Sequence, residues 1–381
     1  MSPIATVALV VCIVIVGYVY VGYPLLLACG LLGRRKPVYR STTYPSVSVI
    51  IPAHNEQDVI GEKIENIRAL SYPQDRVEIL VGSDGSRDGT AAIVRKYAGV
   101  TLYERPSQSG KSSIQNALVK RSSGEILLFT DADCFAGTDA LAQLVENFAD
   151  RRVGLVTARP SYFNADENEV TQNEGIYLRY ESWLQRQESG RGLLAMASGS
   201  FFAVRRSLWQ PLQGNVGDDF VIPLQVALQG FRVVVDARAA VRTDLAQNRL
   251  SSILAMRRRI ISKDLLGLMR NAAVLNPLRT GPVAISLWSH KLLRWLVPYF
   301  LLGAFVANLF LLGSRFFFVT LALQLAFYGM AILGVTAPEH VKSRWSIPAS
   351  FCVVNFAALL ATIQCLSGRT SGQWKPARVS Q

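Results

Sequence analysis

The chain has 381 residues, 40 Lys and Arg against 27 Asp and Glu for a formal charge of +13, and 50% hydrophobic residues. That length admits a soluble domain together with a membrane part. The basic excess does not describe a nucleic-acid binder, because the Lys and Arg form no stripe with interleaved stacking aromatics. Five cysteines without a CxxC pair and three scattered histidines exclude a disulfide framework and a zinc cluster, so any metal must be held mainly by carboxylates.

From Pro3 to Leu32 there is no charged residue. The stretch exceeds the ~20 apolar residues that span a bilayer. No basic region precedes it, while Arg34-Arg35-Lys36 follows it. An uncleaved anchor is therefore expected, rather than a removed signal with lipidation at Cys29. The positive-inside rule then puts the N-terminus outside and the central domain in the cytoplasm.

After a polar linker from Pro37 to Pro45, apolar strands and amphipathic helices alternate. Val47 to Ile51 reads as a strand, and Glu56 to Leu70 as a helix with Ile60, Ile64 and Ile67 on one face. A strand is predicted over Val77 to Val81 and a helix over Asp88 to Tyr97. A short strand near Val100 to Tyr103 and a helix over Lys111 to Lys120 come next. Glu125 to Thr130 is a further strand. This alternation predicts an α/β domain with a mostly parallel sheet, wound as in nucleotide-binding domains.

The chain is less regular beyond Asp139. A helix to Phe148, a strand over Val153 to Thr157 and a long polar helix over Glu167 to Gln187 are expected. A strand from Ser198 to Val204, a turn at Gly214 to Gly217 and a helix from Asp218 to Leu228 follow. Arg249 to Met269 combines basic and apolar faces, which suits a helix lying at a membrane surface; a soluble amphipathic core helix is the plainer alternative. Apolar stretches from Leu292 to Gly334, interrupted near Gly313-Ser314-Arg315, and from Ile347 to Leu366 add three expected membrane crossings. Many basic residues fall at membrane boundaries, where anionic lipid attracts them. The expected organisation is an anchor over residues 1–33, a catalytic domain over 34–245, interfacial helices over 246–290, membrane helices over 291–368 and a basic tail over 369–381. Three final crossings put the tail outside. The Lys342/Arg344 loop and the Arg369/Lys375/Arg378 tail are both basic, so the charge rule cannot place both, and one segment is expected to be re-entrant or interfacial.

Four polar clusters sit at the ends of these elements. Pro52-Ala53-His54-Asn55-Glu56 ends the first strand. Ser83-Asp84-Gly85-Ser86-Arg87-Asp88-Gly89-Thr90 ends the second, with glycines that allow close backbone approach and a helix N-terminus that favours an anion. Ser109-Gly110-Lys111 opens a helix with a cation. Asp131-Ala132-Asp133 follows the apolar run to Thr130. Two carboxylates at a strand's carboxyl end suit a hard divalent cation shared with phosphates. The plainer readings are turn chemistry for Asp-Gly-Ser and helix caps for the acidic pairs.

In the order IPAHNE, SDGSRDGT, SGKSSIQNAL, FTDADCF, SGSFFAVRR and GDDF, the chain resembles an inverting family-2 glycosyltransferase from about Val47 to its end. The membrane arrangement resembles the branch that includes cellulose synthase, hyaluronan synthase and poly-N-acetylglucosamine synthase. Gly368-Arg369 with Trp374, Pro376 and Arg378 resembles the end of many such enzymes. The resemblance implies a nucleotide-diphospho-sugar transferase (GT-A, Rossmann-like) domain. It implies that Pro52, Ala53 and Glu56 line the nucleotide pocket, that Asp84 contacts a base, expected to be uracil, and that Lys111 fixes the donor. It implies that Asp131 and Asp133 form a DxD motif, with Asp133 the ligand of Mg²⁺ or Mn²⁺, and that Gly199 and Ser200 border the acceptor. Gly217-Asp218-Asp219-Phe220 resembles the TED or GDD motif. Asp219 is then the base for the acceptor hydroxyl and Asp218 a substrate-binding neighbour.

Two departures stand out. Processive relatives carry QxxRW, where this chain has Met256-Arg257-Arg258-Arg259-Ile260. Arg259 keeps a cation able to clamp a pyrophosphate, but the aromatic platform for an acceptor sugar is missing. Ser83 replaces the first Asp of the common DDGS form. The resemblance thus implies an inner-membrane, multi-pass enzyme. It would move a sugar from a nucleotide-sugar, expected to be a UDP-sugar, to a lipid-linked or saccharide acceptor in cell-surface polysaccharide synthesis. Partners would be membrane lipid and a subunit of a polysaccharide export system, not nucleic acid. Processive synthesis, and a membrane protein that binds a nucleotide or saccharide without turnover, are the alternatives.

Overall fold

The computed structural model describes residues 2–162, 169–243, 250–336 and 339–368. The basic tail and the first residues of two expected helices, at 167–168 and 249, lie outside the described residues.

One eight-stranded sheet organises the central domain, in the order β3-β2-β1-β4-β7-β6-β8-β5. The strands are β1 (Val47–Ala53), β2 (Val77–Asp84), β3 (Val100–Arg105), β4 (Ile126–Thr130), β5 (Phe135–Ala136), β6 (Val153–Tyr162), β7 (Phe201–Arg205) and β8 (Arg232–Thr243). β1 pairs in parallel with β2 and β4, and β2 with β3. β7 runs antiparallel between β4 and β6, while β8 returns parallel to β6. The sheet is thus mixed where a mostly parallel one is predicted, and β8 is a strand that the motif pattern does not announce.

Because helices cover both faces, β1 is apolar apart from Ser48 and every residue is buried. Val47, Val49, Ile51 and Ala53 join one core with Ile60, Ile64 and Ile67 of the Ile60–Arg68 helix. Ile50 points the other way, into a core with Ile114 and Leu118 of the Lys111–Val119 helix and Phe220 of the Asp218–Leu228 helix. The parallel strands β1, β2 and β4 all end on one side, at Ala53, Asp84 and Thr130, so three of the four motifs start there.

Among the described residues four helices are long and apolar enough to cross a membrane: Pro3–Ala28, Pro282–Leu309, Arg315–Thr336 and Ile347–Leu366. The second begins ten residues before the apolar run at Leu292. Ala5 and Leu9 of the first pack on Ala304 and Ala307 of the second. Each of these two helices widens into a π-helical segment, Tyr18–Gly22 and Leu287–Leu292, and the widened turns meet where Tyr18 Oη lies 2.7 Å from Ser289 Oγ.

The same junction ties these apolar helices to the central domain. Glu188 of the Glu169–Arg191 helix is fully buried, and its Oε1 accepts from Tyr23 Oη at 2.7 Å and Ser286 Oγ at 2.8 Å, with His290 Nδ1 at 2.8 Å. Two turns earlier, Glu181 takes Arg294 Nη1 at 2.9 Å. A buried charge with that many partners is costly to separate, so the domain and its apolar helices form a braced unit. The Phe220 and Trp295 rings meet edge-on at 5.9 Å, which links the helix carrying Asp219 to the Pro282–Leu309 helix.

Candidate active site

The first two motifs are locked to each other by their own side chains. His54 Nδ1 lies 2.6 Å from the Asp84 carbonyl, Asn55 N donates to Ser86 Oγ at 3.1 Å, and Arg87 N donates to Asn55 Oδ1 at 2.9 Å. Glu56 N donates to Thr90 Oγ1 at 2.8 Å, and Asp88 accepts from both Thr90 N and Thr90 Oγ1. Gly85 has φ +64°, and a Cβ there would stand 2.6 Å from Gln108 N, so conformation and close approach both demand glycine.

Asp84 is fully buried, and both its oxygens are engaged: Oδ1 accepts from Ser109 N at 2.7 Å and Ser109 Oγ at 2.8 Å, and Oδ2 from Gly110 N at 2.7 Å. In this geometry Asp84 holds the loop that launches the Lys111–Val119 helix. Pro52 and Ala53 are buried inside β1 and do not line the cavity described next.

That cavity, of about 260 Å³, is lined by Glu56, Lys111, Asp131, Ala132, Asp133, Gly199, Asp218, Asp219 and Arg259, together with Val216, Gly217, Ile260, Lys263 and Asp264. It gathers most of the expected site residues from sequence positions more than 200 apart. Ser200 contributes its carbonyl, which accepts from Asp131 N at 3.4 Å.

Lys111 is the electrostatic centre. Its Nζ lies 2.8 Å from Asp131 Oδ1 and 3.1 Å from Asp218 Oδ2, joining the DxD motif to the GDD motif. Burial pulls its pKa down, but Asp131 and Asp218 more than reverse this and hold it charged. Gln115 Nε2 donates to the same Asp218 oxygen at 2.6 Å.

Neither acidic pair serves as a cap. The helix nearest the DxD motif starts at Ala140 with Asp139 before it, and the Asp218–Leu228 helix starts from Gly217, with no side-chain cap on either. The Asp219 pKa is raised, first by burial and then by the Asp218 carboxylate. A carboxylate pushed upward in a cleft is a better proton acceptor near neutral pH.

Three further residues belong to the site. Lys263 and Asp264 come from the Leu250–Arg270 helix, one turn beyond Arg259 and Ile260. The Lys263 pKa is lowered to about 8 by burial and by the neighbouring Arg259 and Lys111. That of Asp264 is raised by burial and by Asp219. Lys63 lies beneath the DxD loop, fully buried, and its Nζ donates to Thr130 Oγ1 at 2.8 Å and to the Cys134 carbonyl. A lysine within the stripe of Ile60, Ile64 and Ile67 is the sequence signal that reveals it. The lone Asp264 in an otherwise basic helix is the corresponding signal there.

Among the described residues no group of three or more His, Cys, Asp or Glu could hold a metal alone. The protein provides Asp131 and Asp133. Such a pair fits a cation like Mg²⁺, which is commonly bound by one or two carboxylates plus substrate phosphates and water.

Residues 48–211 match the family described as Glycosyl transferase family 2. Those residues are a glycosyl transferase family 2 domain. Over 168 residues the chain is 31% identical to the beta-monoglucosyldiacylglycerol synthase of Nostoc sp., covering 42% of this chain and 36% of that protein. It is 25% identical over 213 residues to the poly-beta-1,6-N-acetyl-D-glucosamine synthase of Staphylococcus aureus, covering 52% of this chain and 50% of that protein. The chain thus spans half or less of the length of these curated relatives. The mannosyltransferase PcManGT from Pyrobaculum calidifontis, solved with GDP-Man and Mn²⁺, superposes with a TM-score of 0.71 at 24% identity, over 95% of this chain and 99% of that one. The fold is the GT-A-like α/β fold of nucleotide-sugar transferases. The glycosyl transferase domain contains the DxD motif and Lys111, but it ends before Asp219 and the Leu250–Arg270 helix.

Proposed function

We propose that the chain is a membrane-embedded inverting glycosyltransferase that moves a sugar from a nucleotide-sugar to a hydroxyl acceptor. The observation that carries this reading is the meeting of Asp131, Asp133, Lys111, Arg259 and Asp219 in one cavity beside the carboxyl ends of the parallel strands. On the donor side, Lys111 and Arg259 face the diphosphate. Asp133, with Asp131, would hold Mg²⁺ or Mn²⁺, whose chemistry is to neutralise charge on the departing diphosphate. On the acceptor side, Asp219 takes the proton of the acceptor hydroxyl. The acceptor oxygen forms its bond to the anomeric carbon as the bond from that carbon to the diphosphate breaks, so the configuration inverts. Asp84, with Pro52 and Ala53 behind it, supports the nucleotide end by fixing Ser109 and Gly110.

A lipid-linked acceptor is favoured over a free saccharide. An apolar groove of about 660 Å³ opens between the last three membrane helices, with Leu254 in its wall. Leu254 belongs to the helix that carries Arg259 and Ile260 to the cavity, ~7.5 Å along its axis from Arg259. One amphiphile could place its tail in the groove and its hydroxyl at Asp219. Exposed Ile260, where processive relatives carry Trp, favours addition of one or a few sugars over long polymerisation. The inner membrane, with the glycosyl transferase domain in the cytoplasm, suits the basic Arg34-Arg35-Lys36 segment after the first helix. A UDP-sugar remains the favoured donor, and a subunit of an export system the expected partner.

The test is turnover by the purified chain with UDP-sugars and GDP-mannose, in Mn²⁺ or Mg²⁺. Nucleotide release from one donor, lost in Asp133→Ala, supports the reading. Absence of turnover across the panel with lipid and saccharide acceptors counts against it, as does unchanged turnover in Asp133→Ala. Long polymer from this chain alone would overturn the limited-addition assignment.

A further inference from the structure

Asp264 lies outside the family domain and no motif includes it, yet it is buried and lines the reaction cavity beside Asp219. The two carboxylates converge on one place. A Cβ added to Gly217 would meet Asp264 Oδ1 at 2.6 Å and Asp219 Oδ1 at 3.1 Å, so glycine at this position leaves room for both. Their separation therefore falls within the ~6 Å over which like charges govern each other's ionisation. Asp218, on the same helix turn as Asp219, is already ion-paired with Lys111 and accepts a hydrogen bond from Gln115. The other charged groups near Asp264 are Lys263 on its own helix and Lys291 on the Pro282–Leu309 helix, and neither forms an ion pair with it among the described residues.

We propose that Asp264 is a positioning residue for the base: it shares a single proton with Asp219, so that one carboxylate is ionised to accept the hydroxyl proton and the other donates a hydrogen bond. Two carboxylates forced together in a dry site cannot both ionise at neutral pH. The protonated Asp264 orients the acceptor hydroxyl or the base itself. When the acceptor O–H bond breaks, its proton adds to Asp219. Both groups are then neutral until one proton passes to the released nucleoside diphosphate or to water.

This assignment rests on the glycosyltransferase reading above, and pH profiles of turnover separate the two. Asn imitates the neutral carboxyl. Asp264→Asn is expected to keep at least a third of wild-type kcat/KM at neutral pH and to lose the alkaline limb, because the shared proton can no longer be removed. Asp264→Ala is expected to fall at least tenfold in kcat, with donor KM within about twofold of wild type. Lys263→Arg is expected to retain the alkaline limb, which separates the pair from the neighbouring lysine. Melting temperatures and nucleotide binding of the variants report folding independently of turnover. An Asp264→Asn profile identical to wild type, or a variant as inactive as Asp219→Asn while still binding nucleotide, would overturn the proposal. A misfolded Asp264→Asn would likewise assign Asp264 to stability alone. If wild type turns over no donor, the functional reading fails and this one with it.

Discussion

On the β4 side of the cavity opposite charges meet: Lys111 stands between Asp131 and Asp218, and Lys63 braces the DxD loop from beneath. Toward the Leu250–Arg270 helix, Asp219 lies beside Asp264 and Arg259 stands one turn from Lys263, so that like charges also neighbour each other. The balanced wall is suited to holding a ligand whose charge is constant, a diphosphate with its metal. The unbalanced wall is suited to moving a proton, since strained ionisation keeps pKa values near the working pH. The first wall comes largely from the family domain and the second almost wholly from residues beyond it. On the proposed reading, donor chemistry goes with the family domain and acceptor chemistry with the Leu250–Arg270 helix.

The largest effect should come from the centre of the unbalanced wall. Asp219→Asn removes the proposed proton acceptor without changing its shape, and turnover should drop about 10²–10⁴-fold. Nucleotide binding, measured by calorimetry, should be unaffected. If binding falls in parallel with turnover, Asp219 belongs to the donor wall and the contrast collapses.

Lys111→Met should act on both binding and stability. It leaves Asp218 buried with only Gln115 as partner and Asp131 without its cation. Removing one member of a buried pair costs about 3–5 kcal/mol, and donor KM should rise by more than tenfold. Denaturant unfolding and donor kinetics measure the two effects separately. A variant that loses activity with undiminished stability would mean that the carboxylates are already neutral.

Much of the balanced wall is legible in the sequence because each motif follows an apolar strand, and parallel strands bring their carboxyl ends together. Asp84 shows where that logic stops: its place is legible, but the partners that take up both its oxygens, Ser109 and Gly110, depend on a loop 25 residues away. β8 escapes the pattern because Arg232, Asp236, Arg238 and Arg242 interrupt its apolar residues, and its pairing with β6 joins positions about 80 apart. Asp264 and Lys263 escape for another reason. In a basic amphipathic helix they read as a lipid-facing surface, and only the packing of that helix over the Asp218–Leu228 helix turns them inward.

The pH dependence of stability provides a finer comparison. The Lys263 pKa is about 8 in the folded chain against 10.5 for an unperturbed lysine. Between these values the unfolded chain holds a proton that the folded chain has released, so stability rises with pH across that window. Below pH 8 the burial of the charge is a full penalty. Lys263→Met should therefore raise the melting temperature of the nucleotide-free protein at pH 7, with the gain shrinking as pH rises from about 8 to 10. If the gain is independent of pH, Lys263 is solvated and the unbalanced wall loses one of its members.

The smallest expected change is also the most specific to the membrane side. Ile260 is 38% exposed and lines the cavity one turn before Asp264. Ile260→Trp has space to add a flat apolar face at the point where a sugar just transferred would rest. Stacking on an aromatic ring is worth about 0.5–1.5 kcal/mol beyond area burial, enough to slow product release several-fold without altering the chemical step. Products should lengthen by one or a few residues at nearly unchanged donor KM, as read by mass spectrometry of the lipid-linked products. That outcome would place chain length under the control of the acceptor wall alone. Unchanged product length alongside a raised donor KM would mean that Ile260 touches the donor, and that the two walls are not separable at this residue.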